Sequence, residues 1–196
     1  MRWSVLLAVA LAACSAAVPP DPRGVLTRAQ IDALPAPVLY VAGPAAGVPR
    51  VLVEVGRNGS VSIWGDGAGG TVSLSGGVLA ATRGLGADLM EADLRGVRPA
   101  LASGRSGARY ARRMGHLAGD GRLRTAAYAC LLQAFGAERL ALQGLSLPVT
   151  KWIETCEGTE HRFANIYWRD ARGRIWRSEQ WVGPEAGMIV LEHWSR

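Results

Sequence analysis

Short apolar runs alternate with turn-forming residues along most of the chain beyond residue 50. The clearest pair is 51–57 and 60–64, because Asn58-Gly59 between them tolerates the positive φ angles of a tight hairpin turn. Strands at this spacing, with turn residues between them, indicate a mainly β fold. We predict an antiparallel β-sandwich or open barrel, with a short N-terminal helix and minor helical segments.

Cap and turn residues predict the other elements. Thr27-Arg28-Ala29-Gln30 has the pattern of a capping box that opens a short helix, which Pro35 ends. A second hairpin is expected around Ser75-Gly76-Gly77, and a helical turn is expected to start at Asp88 in a segment that is otherwise irregular as far as residue 107. The run 122–135 is long and rich in alanine, so a strand and a helix both fit it. Further strands are predicted at 109–117, 149–155, 162–168, 174–182 and 188–194.

The first fourteen residues have a different pattern. Residues 1–3 carry one positive charge, residues 4–10 are apolar but too few to cross a bilayer, and Leu11-Ala12-Ala13-Cys14 ends the run. This pattern is typical of a secretory signal peptide, and its final cysteine resembles the bacterial lipobox, where the thiol is acylated and the chain is cut just before it. We expect residues 1–13 to be removed and Cys14 to be lipidated; the alternatives are a plain signal peptide with a chance cysteine and a buried N-terminal segment.

The sequence after Cys14 predicts a location and a tether. An aspartate after the lipidated cysteine commonly retains such proteins in the inner membrane, and Ser15 stands there instead, so we expect the outer membrane, facing the periplasm. Several acyl chains on one cysteine anchor stably, whereas a single chain binds only marginally. Residues 14–26 are rich in proline and lack apolar periodicity, which predicts a flexible tether. Residues 27–196 then form one domain.

Charge narrows the range of partners. The chain has 22 Lys and Arg against 16 Asp and Glu, and removal of Arg2 with residues 1–13 lowers the formal net charge from +6 to +5. The excess positive charge comes from arginines scattered along the chain rather than from a basic block, which argues against nucleic acid as a partner. The expected export argues against it as well. Arginines facing an acidic polysaccharide or anionic lipid headgroups stay a candidate contact, and solvated surface arginine is the simpler explanation for each one.

Two cysteines remain in the mature chain, Cys130 and Cys156. An oxidising compartment usually pairs two such thiols, so we expect a disulfide worth roughly 3–4 kcal/mol in the chain-entropy model. No CxxC motif is present, and no metal or other cofactor is predicted. The three histidines lie far apart in sequence and share no ligand motif: His116, His161 and His193.

No catalytic motif stands out. Gly84-Leu85-Gly86 lacks the third glycine, the lysine and the βαβ context of a nucleotide-binding loop, and no Gly-x-Ser-x-Gly elbow is present. Glycoside hydrolysis needs two acids across a sugar bond, and no spacing singles out a pair. The candidate acids are Asp66, Asp88, Glu154, Glu157 and Glu179.

Tryptophans are frequent and cluster late in the chain: Trp152, Trp168, Trp176, Trp181 and Trp194. Exposed indole rings stack on sugars, whereas buried ones fill a β core, and we expect most of these to be core. Trp176 and Trp181 are an odd number of positions apart, so they should point to opposite faces of a strand. At most one of the two is therefore expected to serve the core.

Several motifs together resemble those of a known family. The lipobox at Cys14 is followed by residues 82–90 (TRGLGADLM), by Asn165-Ile166-Tyr167-Trp168 and by residues 173–184 (GRIWRSEQWVGP). In this combination they resemble the YjbF/GfcB family of bacterial lipoproteins, from about Thr27 to the C-terminus. The resemblance implies an outer-membrane lipoprotein encoded with exopolysaccharide or group 4 capsule secretion genes, and no established catalysis. The family also tends to carry cysteines near the two that we expect to pair.

The resemblance implies no defined active site. Its motif residues are either structural or form a docking face: Arg83, Gly84, Gly86, Asp88, Trp168, Gln180 and Trp181. In the structural alternative, Arg83 pairs with Asp88 across the turn, and Gln180 satisfies a buried backbone group. One departure is Arg122, which stands where the family often has an acid after the Gly119-Asp120-Gly121 turn.

Together these observations predict a non-catalytic accessory in exopolysaccharide or capsule export or assembly. The expected partners are the membrane, through the lipid anchor, and either envelope secretion proteins or the polysaccharide itself. The alternative is a periplasmic polysaccharide-modifying enzyme, which would need a cleft that holds convergent acids with perturbed pKa values.

Overall fold

Twelve strands form one antiparallel sheet that curls into a nearly closed barrel within residues 19–195, the part of the chain that the computed structural model describes. The mainly β prediction is confirmed, and the barrel is the alternative adopted. The predicted signal peptide and Cys14 lie outside the described residues. The strands are β1 (Val38–Ala42), β2 (Arg50–Asn58), β3 (Val61–Gly65), β4 (Thr71–Ser75), β5 (Val78–Arg83), β6 (Leu89–Ala92), β7 (Ala108–Leu117), β8 (Leu123–Leu142), β9 (Leu145–Glu157), β10 (Arg162–Arg169), β11 (Ile175–Gly183) and β12 (Gly187–His193).

Strands that are neighbours in the sheet are also neighbours in sequence, with one exception. The order runs from β5 back to β1 and then from β12 back to β6. The exception is the pairing of β1 with β12, which places Val41 opposite Leu191 and joins the two ends of the domain. The two edge strands, β5 and β6, lie side by side without a backbone ladder, so the barrel has a seam between them.

Both predicted hairpins are present, and the first turn is shifted by one residue. It centres on Gly59-Ser60 rather than Asn58-Gly59, because Gly59 takes the positive φ (56°) required at the first central position. In the second hairpin, Gly76 and Gly77 have φ values of 60° and 82°. A β-carbon on Gly77 would also lie 2.8 Å from the β-carbon of Ile175, so no side chain fits there.

Short helices flank and close the barrel. They are α1 (Pro22–Val25), α2 (Arg28–Asp32) and α3 (Val97–Ser103). The predicted capping box opens α2: the Gln30 backbone N–H donates to the Thr27 hydroxyl, and the Thr27 N–H donates to the Gln30 side chain. Among the helices of residues 19–195, none is long and apolar enough to cross a membrane.

Helix α1 lies inside the segment 14–26 that the sequence assigned to a flexible tether. The Arg23 guanidinium pairs with the Glu192 carboxylate and lies 4.3 Å from the centre of the Tyr40 ring. The Tyr40 hydroxyl donates to the Asp21 carboxylate at 3.0–3.1 Å. These contacts hold the described part of the segment against the outer face of β1 and β12. The sequence pattern missed them because they are polar and long-range.

Strand pairing corrects one local prediction and decides an alternative that the sequence left open. No helical turn starts at Asp88, because the next residues form β6, which pairs with β7. The segment before residue 107 contains α3. The run 122–135 is not helical, because it belongs to β8, which pairs with β7 on one side and β9 on the other. Bonding to two neighbours outweighs the helix preference of its alanines.

Each face of the curled sheet carries a buried hydrophobic cluster. The largest hydrophobic cluster fills the barrel interior and includes Met114 and Trp181, and α3 packs near one end through Val97. A second cluster lies on the outer face under α2 and the β8–β9 hairpin, and it includes Ile31 and Trp176. The prediction that Trp176 and Trp181 point to opposite faces is therefore confirmed. The prediction that at most one of them serves a core is wrong, because each face has its own core.

Candidate functional site

Four turns meet at one mouth of the barrel. They connect β5–β6, β7–β8, β9–β10 and β11–β12, and they share an end because consecutive antiparallel strands alternate in direction. They enclose a cleft of about 450 Å³, here called the mouth cleft. Its volume falls within the range of about 300–1,000 Å³ of small-molecule sites. The start of β1 and the end of β12, paired through Leu39 and His193, lie at the opposite end.

Aromatic rings support the mouth cleft from below. The Trp181 indole stacks on Phe163, with ring centres 4.4 Å apart, and meets the rings of His116 and Tyr128 edge-on at 5.1 and 5.8 Å. His161, from the β9–β10 turn, tilts over the same indole at 6.1 Å. Two histidines that are 45 positions apart in sequence thus flank one tryptophan at the cleft.

Polar atoms at the mouth cleft lack partners. Within residues 19–195, the buried hydroxyl of Tyr128 has no hydrogen-bond partner, and the buried imidazole of His116 has no well-aligned one, its nearest backbone partner being Val182. Burial lowers the pKa of His116, so its imidazole is neutral at neutral pH. Burial raises the pKa of Tyr128, so its hydroxyl keeps its proton. The Tyr128 hydroxyl and at least one ring nitrogen of His116 are therefore left without a partner by the described residues.

Two glycines make room for these rings, Gly158 in the β9–β10 turn and Gly183 at the end of β11. A β-carbon on Gly183 would lie 2.8 Å from Nδ1 of His116, and one on Gly158 would lie 2.7 Å from the Tyr128 ring. Any larger residue at either position would displace the ring, so the two glycines set the width of the mouth cleft at His116 and Tyr128.

The rim of the mouth cleft is acidic. Asp120, Glu160 and Glu185 lie on three different turns, and Arg124 is the one arginine that lines the cleft with them. The Asp120 carboxylate accepts a hydrogen bond from the Arg124 guanidinium at 3.0 Å. The pKa of Asp120 is lowered, mainly by a hydrogen bond from the Arg122 backbone N–H and further by the Arg124 guanidinium. Within residues 19–195, neither Glu160 nor Glu185 has an ion-pair partner.

A second polar cluster lies in the barrel interior around Glu154, which is fully buried. Its carboxylate accepts from Arg112 at 2.8 Å. It also accepts hydrogen bonds from three further side chains, those of Tyr110, Asn165 and Tyr167. The Cys130–Cys156 disulfide is present beside it, and Glu154 groups with the two sulfurs only as neighbouring atoms, since the sulfurs are bonded to each other. Arg112 and Glu154 thus form one buried charge pair in which each neutralises the other.

The residues of the 82–90 motif hold the seam between β5 and β6. Asp88 accepts from the Thr82 hydroxyl at 2.8 Å and from the Gly84 backbone N–H at 2.8 Å. Arg83 donates to the backbone carbonyls of Leu89 and Met90, both at 3.2 Å, and not to Asp88. The proposed Arg83–Asp88 pair is therefore wrong. Gly84 (φ 70°) and Gly86 (φ 97°) allow the turn between the strands.

Two further motif residues join elements away from the mouth cleft. Gln180 accepts from the Leu79 N–H at 2.8 Å and donates to the Gly77 carbonyl at 2.9 Å, so it satisfies buried backbone groups of the β4–β5 hairpin. Trp168 lies in the outer cluster and donates to Glu138. Of the predicted docking residues, Trp181 is the one that lies directly beneath the mouth cleft, against His116 and Tyr128.

The five acids considered as candidates for a catalytic pair each have their own partners in the structure. Asp88 and Glu154 have the partners described above, and three others each pair with an arginine: Asp66 with Arg50, Glu157 with Arg162 and Glu179 with Arg177. The acids of the mouth cleft were not among the candidates. The available signal was their position in turns, since every second turn of an up-and-down sheet falls at the same end.

The chain is similar to known proteins in both sequence and fold. The sequence model of a family described as group 4 capsule polysaccharide lipoprotein (gfcB, YjbF) matches residues 11–193. No curated protein matches the chain. The crystal structure of the hypothetical lipoprotein YmcC from Escherichia coli K12 is similar, with a TM-score of 0.76 and 22% identity over 85% of this chain and 87% of that one. At this identity, the likeness shows a shared fold.

Proposed function

Because the chain belongs to the family of group 4 capsule polysaccharide lipoproteins, we propose that it is a non-catalytic accessory of surface polysaccharide export, anchored in the outer membrane through Cys14. The family match over nearly the whole chain carries this proposal. A lipid anchor raises the effective concentration of a weakly bound partner, so modest contacts with a secretion protein or the polymer suffice.

The position of the N-terminal segment supports an oriented anchor. Asp21 and Arg23 are held on the outer face, against residues close to the start of β1 and the end of β12. The seven residues from Cys14 to Asp21 span at most about 25 Å when fully extended. A lipid on Cys14 would keep this end of the barrel near the membrane. The mouth cleft, at the other end of the strands, would then face away from it.

The surroundings of Asp120 and Glu154 do not suit a general acid. A general acid in glycoside hydrolysis needs a raised pKa, so that its carboxyl keeps a proton at neutral pH. Asp120 has the opposite environment, because the Arg122 N–H and the Arg124 guanidinium lower its pKa. The fully buried Glu154 is held by Arg112 and has no route to a substrate.

The test is deletion of the gene in the native host, with measurement of secreted polymer. Complementation with the wild type should restore secretion. An unlipidated form, with residues 1–14 replaced by a plain cleavable signal peptide, should restore it poorly. The variant Ser15→Asp, which keeps the lipid but directs retention in the inner membrane, should also restore it poorly.

Each outcome tests a different part of the proposal. Unchanged polymer after deletion would refute the role in export. Full rescue by the unlipidated form would remove the anchor from the function. Full rescue by Ser15→Asp would remove the outer-membrane location. If the wild type shortens the polymer chains and a change of Glu160 or Glu185 abolishes this shortening, the result would favour the polysaccharide-modifying enzyme instead.

A further inference from the structure

We propose that the mouth cleft binds an uncharged segment of a glycan, through the Tyr128 hydroxyl, the His116 imidazole and the carboxylates of Glu160 and Glu185. The inference rests on the proposed function, which brings an exported polysaccharide to this protein. It adds the site on the barrel and the chemical class of sugar that the site accepts.

The unused polar atoms are the first support. His116 is 8% exposed and Tyr128 is 3% exposed, and the Tyr128 hydroxyl and at least one His116 ring nitrogen have no partner among residues 19–195. Buried polar atoms in folded proteins are nearly always bonded, so such exceptions are explained by a ligand or by water. Both side chains line the same cleft, so one ligand of suitable size can bond both.

The chemistry of these groups suits hydroxyls. A neutral imidazole offers one donor and one acceptor, and a phenol offers a donor and an acceptor. A sugar hydroxyl also donates and accepts, so it can bond either side of both groups. The unpaired carboxylates of Glu160 and Glu185 are acceptors only, and they complete a site that takes hydrogen bonds from several hydroxyls at once.

The negative charge at the rim of the mouth cleft determines which class of glycan can bind there. Three carboxylates and one guanidinium line the mouth cleft, whereas the whole chain has a formal net charge of +6. The one guanidinium, that of Arg124, is already engaged by Asp120. A uronate or phosphate group would meet the unpaired carboxylates of Glu160 and Glu185 in a cleft whose lining guanidinium is already paired, so acidic sugars are disfavoured.

The shape of the site is consistent with a bound segment. Gly158 and Gly183 give the two rings their space, and three small residues keep the cleft open: Ala87, Ala118 and Ala126. The mouth cleft lies at the end of the barrel opposite to the N-terminal segment. A polymer approaching from the side away from the anchor would reach it without crossing the tether.

The experiment measures binding of oligosaccharides to the full mature lipoprotein in detergent by calorimetry. The probes are fragments of the host's exported polymer, used as isolated and after chemical reduction of their carboxyl groups to alcohols. We expect the carboxyl-reduced fragments to bind, and fragments that carry acidic groups to bind more weakly. We expect roughly fivefold weaker binding in Tyr128→Phe and roughly tenfold weaker binding in Glu160→Gln.

The matched control is Glu157→Gln, which changes a glutamate of the same hairpin outside the mouth cleft, and it should bind as the wild type does. Equal binding by all three variants, or tighter binding of acidic fragments, would overturn the proposal, as would no binding of any fragment. These results leave the deletion phenotype untouched. Loss of polymer on deletion together with no glycan binding would retain the export role and reject the glycan site.

Discussion

Gly183 and His116 are in direct contact at the mouth cleft, and the contact depends on the missing side chain of the glycine. A β-carbon on Gly183 would come within 2.8 Å of Nδ1 of the imidazole. Two residues earlier on β11, the Trp181 ring meets the same imidazole edge-on at 5.1 Å. The 173–184 motif thus places His116 from two sides, with one large ring and one absent side chain.

We predict that Gly183→Ala destabilises the protein by about 1–3 kcal/mol and weakens glycan binding, because the added methyl group displaces a buried imidazole. Urea unfolding of the purified domain gives the first quantity and calorimetry gives the second. Gly119→Ala is the control, since a β-carbon there meets no atom within 4 Å and the backbone φ is not positive. Equal stability of the two variants would show that the imidazole moves aside without cost.

Local chemistry made the hairpins and helix α2 predictable. The Thr27 and Gln30 pair and the glycines near residues 59 and 76 act over a few positions, so their signals survive in the sequence. Residues 122–135 were ambiguous because their conformation depends on partners far away in the chain. Cys130 lies opposite both Tyr110 and Cys156, and no local pattern records that pairing.

The mouth cleft was not predictable for a related reason. Asp120 and Glu160 lie in ordinary turn sequences, and His116 and Tyr128 lie in strands that resemble core. Their meeting depends on the strand order and on the closure of the sheet. The motif residues that the sequence did single out hold the frame: Arg83 and Asp88 at the seam, Gln180 in the interior and Trp168 on the outer face.

We predict a loss of stability below pH 6.5 that depends on His193. Burial, and then the nearby Arg174, lower the pKa of His193 to about 4. The unfolded chain takes up a proton below about 6.5, whereas the folded protein does so only near 4, so stability falls as the pH falls through this window. At pH 5 the loss is about 2 kcal/mol.

Urea unfolding of the wild type and of His193→Gln at pH 7.5 and pH 5 tests this. The variant should lose about 2 kcal/mol less than the wild type between the two pH values. Between pH 7.5 and 9, His193 stays neutral in the folded and the unfolded chain, so the stabilities of the two proteins should change in parallel there. The same loss in both proteins between pH 7.5 and 5 would assign the effect to other groups.

We predict that Glu154→Gln costs about 3–5 kcal/mol, because it leaves the Arg112 guanidinium buried without a counter-charge. The control is Glu157→Gln, three positions along β9, which removes an exposed pair with Arg162 and should cost at most about 1 kcal/mol. In an Arg112→Met background, Glu154→Gln should cost less than in the wild type. Additive costs for the two changes would contradict the pairing.

The seam gives the last prediction. β5 and β6 share no backbone ladder, and Asp88 ties them by accepting from the Thr82 hydroxyl and from the backbone N–H groups of Gly84 and Leu85. Asp88→Ala leaves all three donors without their acceptor, which should cost about 3 kcal/mol. Because the seam is the one break in the ladder of the described sheet, opening should start there, at a lower free energy than global unfolding.

Hydrogen exchange followed by mass spectrometry measures this opening. In Asp88→Ala, peptides covering 84–92 should lose protection, whereas peptides covering 123–135, which are paired on both sides, should keep most of theirs. The matched control is Asp170→Ala, because Asp170 likewise accepts from the backbone N–H groups of its turn, but between strands that are paired by a backbone ladder. That variant should keep protection at 84–92. Unchanged exchange of this segment in Asp88→Ala would mean that the barrel closes without the motif.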